Sequence, residues 1–470
     1  MSTTSMAGAA SPTPGPEGQD VLPLVAVAYG LGAAGPLAVG AAADGLCRVV
    51  WLCDRTDPHT AEVLAFLERS GDVLDVTGRT PEEVAGALRA AGARGVTTFS
   101  EGRIRWTAEV AAVAGLDYHR PDTARALTDK SAQRELCSGT PGAPRHARIV
   151  GRADAPADAP ADVLAAARAV GFPAVLKPLS GSGSRDTAEV ADLAALRAEL
   201  AGLEGEFVLE ERLIGDPAVA GEGWGDYVSV ETLSTRRGHH VLAVSGKFPL
   251  APPFRETGTF YPATLGPAAL RAAEQAAVAA LDALGVTYGV SHTELKLTAA
   301  GPRLIEVNGR VGGGTARTVR SVGGPDLLRT ALLAALGRTR DEVRRSAEGR
   351  PFPDRIGYEY LPPAPRADGT VRALGGAREV RRLPGVDVFT PTVRRGARLD
   401  WRTGTLSHLG MVYGTAADHR ALAGTVAAID RALVLDLDLD LDLDLDLDLA
   451  PDPDPDQLFS TPPTGQAAQR

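Results

Sequence analysis

Nineteen residues, His292 to Arg310 (HTELKLTAAGPRLIEVNGR), constrain this chain more than any other stretch. Two runs of alternating polar and apolar residues flank Ala299-Ala300-Gly301-Pro302, whose Gly and Pro supply turn geometry, so the pattern predicts a β-hairpin. With the turn centred near Ala300, side-chain alternation sets Glu294 opposite Glu306 and His292 opposite Asn308, all on one face. Two carboxylates opposed across a ladder repel. A divalent cation removes the objection: two Glu and an Asn form an incomplete shell of hard oxygens, which suits Mg²⁺ that keeps waters and binds substrate phosphates. The competing reading is a solvated face with an accidental Glu pair, so the rest of the chain has to decide.

At 470 residues the chain is long enough for about three domains. Its formal net charge of −10 is mostly a tail effect: from Leu433 onward ten Asp and one Arg carry −9, leaving about −1 on the other 432 residues. A near-neutral folded part gives no basic footprint for nucleic acid and no steering field toward a membrane surface. Cys47, Cys53 and Cys137 lack metal-ligand spacing and cannot all pair, which fits a reducing cytoplasm. The uncharged span Leu22 to Ala43 is long enough to cross a bilayer, but Pro23, Pro36 and four glycines interrupt it, and Asp20 and Asp44 flank it where an anchor carries basic residues.

Residues 1–20 are Ser, Thr, Pro, Gly and Ala with little to bury and are expected to be disordered. Alternating strand and helix signals from residue 21 to about 127 then predict a Rossmann-like parallel α/β unit. It contains Gly30-Leu31-Gly32-Ala33-Ala34-Gly35 after the strand Leu24-Val27, with Asp54 nineteen residues on, the formal fingerprint of a dinucleotide site. An NAD(P)-linked oxidoreductase is therefore one reading. Glycines serve tight strand-to-helix turns without any ligand, however, and no later stretch supplies a hydride-transfer constellation.

The nucleotide signals cluster after Thr128. Asp129-Lys130 opens a helix ending near Cys137; after a turn and an Ala/Pro/Asp linker at 152–160, Ala161 to Val170 is helical. The buried strand Phe172 to Pro178 ends at Lys177, and Ser180-Gly181-Ser182-Gly183-Ser184 follows. Such a loop brings backbone N–H groups to a phosphate, and the lysine sets a point charge beside it. Strands are expected at Phe207 to Glu211, Tyr227 to Leu233 and Val241 to Val244, with His239 and His240 on a solvated turn. Pro253 to Pro262 reads as a polar substrate loop, Pro267 to Leu284 as a helix.

Taken together, Lys177 with its Gly/Ser loop, the acidic Glu210-Glu211, and Glu306-x-Asn308-x-Arg310 resemble the ATP-grasp superfamily over residues 128–340. HTELKLT, PRLIEVNGRVGGGT and PPFRETGTFYPATL are most similar to the L-amino acid ligases, carboxylate-amine ligases that make dipeptides. The fold this implies is α/β and α+β: a Rossmann-like domain at 21–127, a two-subdomain ATP-grasp module at 128–340, a small C-terminal α+β lobe at 341–433, and a low-complexity acidic tail at 434–470. The resemblance implies ATP and Mg²⁺, with Mn²⁺ as a substitute. Lys130 and Lys177 would hold phosphates, Ser182, Gly183 and Ser184 would close over them, and Glu210, Glu211 and Leu213 would present backbone groups to adenine. Glu294, Glu306 and Asn308 would bind the metal. Arg310 would face the acyl phosphate, with Lys177 as its catalytic partner, and Glu256, His292, Arg310, Gly313 and Gly314 would line the amino acid site. The family's ribose carboxylate is replaced here by Tyr227, leaving Asp226 or Glu222 as substitutes.

The implied reaction forms an amide between amino acids through an acyl phosphate, releasing ADP and phosphate. No side-chain nucleophile is required, but water must be excluded. A carboxylase or purine-pathway ligase would use the same metal and phosphate residues, and a silent ATP-binding partner protein is disfavoured by the intact Glu294, Glu306 and Arg310. Gly312-Gly313-Gly314 either admit a backbone approach or leave space for a large substrate. Small-molecule substrates are the expected partners, with a homodimer left open. The tail, strictly alternating Leu and Asp to Leu449, has the period of a strand, but stacked Asp rows repel, so disorder is expected.

Overall fold

The computed structural model describes residues 22–151, 161–181, 183–201, 203–338 and 353–439. The N-terminal segment 1–20, the linker 152–160, Ser182, the charged stretch at 339–352 and the tail from 440 lie outside the described residues.

The first unit is a parallel sheet in the order Asp72–Asp75, Arg48–Cys53, Leu24–Ala28, Ala93–Thr98. Leu24–Ala28 is buried at every position, as a strand covered by helices on both faces must be. Pro at the first turn starts the helices Pro36–Ala43, Pro58–Ser70 and Pro81–Ala90, and Thr80 closes a capping box with Glu83 on the last of these. The uncharged span Leu22 to Ala43 is thus a strand and a helix, and no described helix is long and apolar enough to cross a membrane.

Two of the three fingerprint glycines serve packing, while Gly35 stands open. A Cβ on Gly32 would stand 2.2 Å from the Phe99 carbonyl oxygen, and one on Gly30 2.8 Å from Ser100 Oγ. The turn is sewn to the end of the neighbouring strand by Ala33 N–H donating to Phe99 O (2.8 Å) and Ser100 Oγ donating to Leu31 O (2.7 Å). These glycines let two strand ends approach each other.

A small antiparallel sheet follows, in the order His146–Gly151, Gly205–Glu211, Ala174–Pro178, Ala188–Val190. Helices Ala161–Val170 and Leu193–Leu200 cover it around Leu176, Leu196 and Leu209. The large sheet has eight antiparallel strands: Gly301–Asn308, Gly289–Thr298, Tyr227–Thr235, Gly238–Lys247, Gly258–Tyr261, Ile356–Tyr360, Gly410–Ala416 and Val386–Pro391. Two expectations are corrected here. Gly258–Tyr261, inside the segment read as a loop, is a buried strand joining Gly238–Lys247 to Ile356–Tyr360. His239 lies in a strand, its Nε2 3.1 Å from Asp282 Oδ1 with only 5% of the side chain exposed, and is no solvated turn residue.

The C-terminal stretch supplies three strands of this large sheet as well as a small sheet of Arg398–Leu399, Gly369–Gly375 and Val434–Leu439. The expected boundary at 434 therefore falls inside the fold: the first residues of the Leu-Asp repeat are ordered. Leu435 and Leu437 pack on Val371, while Asp438 faces out to Arg372 at 2.7 Å. Asp repulsion does not arise because the strand's partner, Gly369–Gly375, carries no acid.

Candidate active site

The hairpin forms with the expected pairs, His292 opposite Asn308 and Glu294 opposite Glu306. Its turn is a two-residue Ala299-Ala300 loop closed by Thr298 and Gly301, which alone would put Glu294 opposite Ile305; a bulge at Ile305 restores the opposition.

The helix Lys130–Cys137, capped by the Asp129 side chain, lies along the hairpin's outer strand. Gln133 acts as a missing strand, Nε2 donating to Val307 O (2.9 Å) and Oε1 accepting from Val307 N–H (2.8 Å). The next residue, Arg134, donates to Ile305 O, two residues back along the same strand. This sets Lys130 Nζ 3.0 Å from Glu306 Oε1 and lets it donate to Gly181 O at 2.8 Å, at the root of the Gly/Ser loop.

From the small sheet, Lys177 Nζ donates to Glu210 Oε2 (2.8 Å), and Arg134 Nε to Glu210 Oε1 (2.9 Å). Burial works to raise the Glu210 carboxyl, but the Arg134 and Lys177 cations overcome it and hold the group down at about 2. Glu210 is thus a buried counter-ion, and Glu211 is held by Arg145 (3.1 Å) and Arg303. The N–H groups of Glu211 and Arg212 already donate to Arg145 O (3.0 Å) and Pro173 O (3.1 Å). Adenine would be left the remaining backbone groups of a segment whose Leu213 lines the cleft. That cleft measures about 960 Å³ to its open mouth and runs from Val175 and Leu213 past Lys130 and Lys177 to Glu294 and Glu306.

At its far end Glu294 meets Lys247 Nζ (3.5 Å) and His292 Nε2 (3.2 Å), and Lys247 also reaches Glu256 at 3.3 Å. Burial opposes ionisation of Glu294, and the Lys247 charge with the His292 hydrogen bond prevails, holding it well below the usual carboxylate range. Glu256 goes the other way, raised by burial and then by the Glu294 charge. His292 Nδ1 bonds to the fully buried Glu231, whose other oxygen accepts the Gly312 N–H at 3.3 Å. Burial lowers the His292 pKa, but Glu231 outweighs it and pushes it up to about 9, so an imidazolium bridges two carboxylates.

Arg310 Nε lies 3.1 Å from Glu101 Oε2, at the C-terminal end of the strand Ala93–Thr98, and its Nη2 is 3.4 Å from Asn308 Oδ1. The N-terminal unit thus completes the site. Gly313 is open, with nothing within 4 Å of a Cβ built there. Gly314 is not: at φ +68° its Cβ would stand 1.6 Å from Glu359 Oε2, so the space expected for a large substrate is filled by the Glu359 carboxyl of strand Ile356–Tyr360. Asp226 is taken by Lys296 at 2.5 Å and lines an adjoining cavity rather than the cleft itself.

The donor chemistry fits the expected cation. Among the described residues no three His, Cys, Asp or Glu gather as a closed metal cage. Opposed Glu294 and Glu306 with Asn308 offer only hard oxygens in a partial shell, the kind Mg²⁺ completes with water and phosphate. Reading the sequence missed Gln133, Arg134, Glu231, Lys247, Glu101 and Glu359. Lys247 and Glu101 were findable: Lys247 is a charge ending an apolar strand, and Glu101 follows the carboxyl end of a parallel strand, where open α/β sheets place ligands. Glu359 carried no local signal, because its role depends on a glycine 45 residues away.

Residues 170–319 match the ATP-grasp domain family. Carnosine synthase 1 of Gallus gallus is 35% identical over 185 residues, 37% of this chain and 20% of that protein, so the match spans about a fifth of that relative's length. Over 89% of the chain and 100% of the other, the fold superimposes on an L-amino acid ligase from Bacillus licheniformis with a TM-score of 0.68 at 21% identity. A carboxyaminoimidazole ribonucleotide synthase from Aspergillus clavatus, solved with ATP, aligns over 87% of this chain and 99% of that one with a TM-score of 0.62 at 16% identity.

Proposed function

We propose that this chain, which carries an ATP-grasp domain over residues 170–319, is an ATP-dependent carboxylate-amine ligase that joins amino acids through an acyl phosphate. The observation that carries the reading is the opposition of Glu294 and Glu306 at the end of the cleft that Lys130 and Lys177 line, with Arg310 two residues beyond the end of the same hairpin. The resemblance to carnosine synthase and to the L-amino acid ligase fold supports the substrate class.

The first step sets a carboxylate against the γ-phosphate, anion against anion, so positive charge must be in place before they meet. Mg²⁺ held by Glu294, Glu306 and Asn308 would neutralise phosphate charge when bound. Lys130 and Lys177, each already directed into the cleft by a carboxylate partner, hold phosphate oxygens. Attack of the carboxylate oxygen on the γ-phosphorus breaks its bond to the bridging oxygen, releasing ADP and leaving the acyl phosphate beside Arg310. A second substrate's free amine then attacks the carbonyl, the carbon–oxygen bond to phosphate breaks, and the nitrogen's proton leaves with the departing phosphate. The Gly/Ser loop excludes water while the acyl phosphate exists. Glu256 and Gly313 face the amino acid substrates, while His292, both ring nitrogens bonded to Glu231 and Glu294, holds Glu294 in place behind them.

Incubation with ATP, Mg²⁺ and pools of amino acids, reading phosphate release and product mass, tests this, with Glu306→Gln as control. Amino-acid-dependent ADP together with a condensed mass is expected, and both should fall at least about 100-fold in the variant. ADP formation that needs bicarbonate or a ribonucleotide instead would move the protein to a carboxylating or purine-pathway chemistry.

A further inference from the structure

One residue of the C-terminal stretch touches both the Gly/Ser loop and the Glu256 loop of the cleft. The segment Trp401–Leu406, capped by Asp400, runs over the Gly/Ser loop. Thr405 N–H donates to Gly183 O at 2.8 Å, and Thr405 Oγ1 accepts the Glu256 N–H at 3.2 Å. Gly404, at φ +68°, lies so close to the loop that a Cβ would stand 2.1 Å from Gly183 O and 3.0 Å from Arg185 N. Beside it the buried Arg255 donates from Nη1 to Ala364 O (2.8 Å) and reaches Ser407 O (3.5 Å), tying the Glu256 loop to the same segment.

We propose that Thr405 is a positioning residue that couples closure of the Gly/Ser loop over the nucleotide to placement of the Glu256 loop at the amino acid site. Its backbone N–H holds the loop at Gly183, and its hydroxyl holds the backbone of Glu256, whose carboxyl meets Lys247. The loop therefore reaches its covering position only where the Glu256 loop is also in place, so that an acyl phosphate forms in a site already shut to water. The inference rests on reading the cleft as a nucleotide site.

Exposed Arg185 reports on the loop, since trypsin cuts after it. Digestion of the full chain, with and without a non-hydrolysable ATP analogue and Mg²⁺ and with cleavage at Arg185 followed by mass spectrometry, should show about tenfold slower cutting in the wild type with analogue. Gly404→Val, and the milder Gly404→Ala, should abolish that protection and weaken analogue binding about fivefold to tenfold, the worth of about one hydrogen bond with its neighbours. Thr405→Val keeps the N–H to Gly183 but frees the Glu256 backbone, so it should lower the protection about twofold to threefold, raise the KM for amino acid and release more ADP per amide; Thr405→Ser should restore the wild-type behaviour. Equal protection in wild type and both Gly404 variants overturns the inference, as does full wild-type protection in Thr405→Val. The digestion needs no turnover. Failure of every amino acid pool with the protection pattern intact would count against the ligase and leave the coupling standing.

Discussion

Glu210→Gln tests the electrostatic frame of the cleft. The carboxylate is 3% exposed and meets Lys177 at 2.8 Å and Arg134 at 2.9 Å. Its pKa is displaced from 4.5 to about 2, which by linkage makes ionised Glu210 worth about 3 kcal/mol to the folded state at neutral pH. Removing one member of a buried ionic group also strands the others, so about 3–5 kcal/mol should be lost at pH 7. The sign with pH follows from the direction of the shift. A depressed carboxyl stabilises fully above its unfolded value and loses that stabilisation as pH falls toward its folded one. By pH 3 the wild type should keep only about 1 kcal/mol of the ionisation contribution. Urea unfolding of wild type and variant at pH 7, 4 and 3, followed by tryptophan fluorescence and circular dichroism, reads the difference directly. A variant as stable as wild type at pH 7, or a gap unchanged down to pH 3, would refute the assignment of Glu210 as the counter-ion of Arg134 and Lys177.

Three further outcomes follow from named contacts. Gly314→Ala drives a Cβ into Glu359 at a φ of +68° and should cost about 2–4 kcal/mol in urea unfolding, whereas Gly313→Ala, with open space, should be tolerated to within about 1 kcal/mol; equal costs would mean Glu359 can move aside. Burial lowers the His119 pKa to about 4 while its Nε2 bonds to Gly309 O at 3.2 Å, so from pH 7 to 5 the unfolded chain gains a proton that the folded one refuses. Stability should fall over that window by about 2 kcal/mol more in wild type than in His119→Gln, measured by the same titration. Gly32→Ala, its Cβ 2.2 Å from Phe99 O, should lower the melting temperature while leaving ATP binding by calorimetry unchanged; tight nicotinamide binding by wild type that this substitution abolishes would reopen the dinucleotide reading.

What could be read from the sequence had local periods. The hairpin announced itself because alternation and a Gly-Pro turn signal lie within nineteen residues, although the turn itself is Ala299-Ala300, and the parallel unit because buried strands alternate with helices. The opposition of Glu294 and Glu306 was reached with the turn centre placed half a residue too late, and the Ile305 bulge compensated for that displacement. Gly258–Tyr261 was hidden because a four-residue buried strand among prolines has no period to detect. The order in Val434–Leu439 was hidden because its partner, Gly369–Gly375, lies more than fifty residues earlier and only that pairing decides the state of a Leu-Asp run. Non-local charge partners were illegible for the same reason: Glu101 reaches Arg310, and Glu231 reaches His292, across separations that no window spans.

Those partners explain how so many charges coexist at the end of one cleft. Glu306 is matched by Lys130, Glu294 by Lys247 and His292, Lys177 by Glu210, and Arg310 by Glu101. Buried single charges would each cost several kcal/mol, whereas matching offsets that cost and aims the side chains, although at Glu101 burial still raises the carboxyl against the Arg310 charge. A phosphate arriving at Lys130 and a cation arriving at Glu306 separate one pair and create two, so binding exchanges partners instead of desolvating new ions. The same logic predicts that either ligand alone binds weakly, because it leaves one member of the Lys130–Glu306 pair without a counter-ion. Calorimetry should therefore find the ATP analogue and Mg²⁺ each tightening the other by about tenfold or more, with Lys130→Met weakening that mutual effect; independent binding of the two would contradict the exchange.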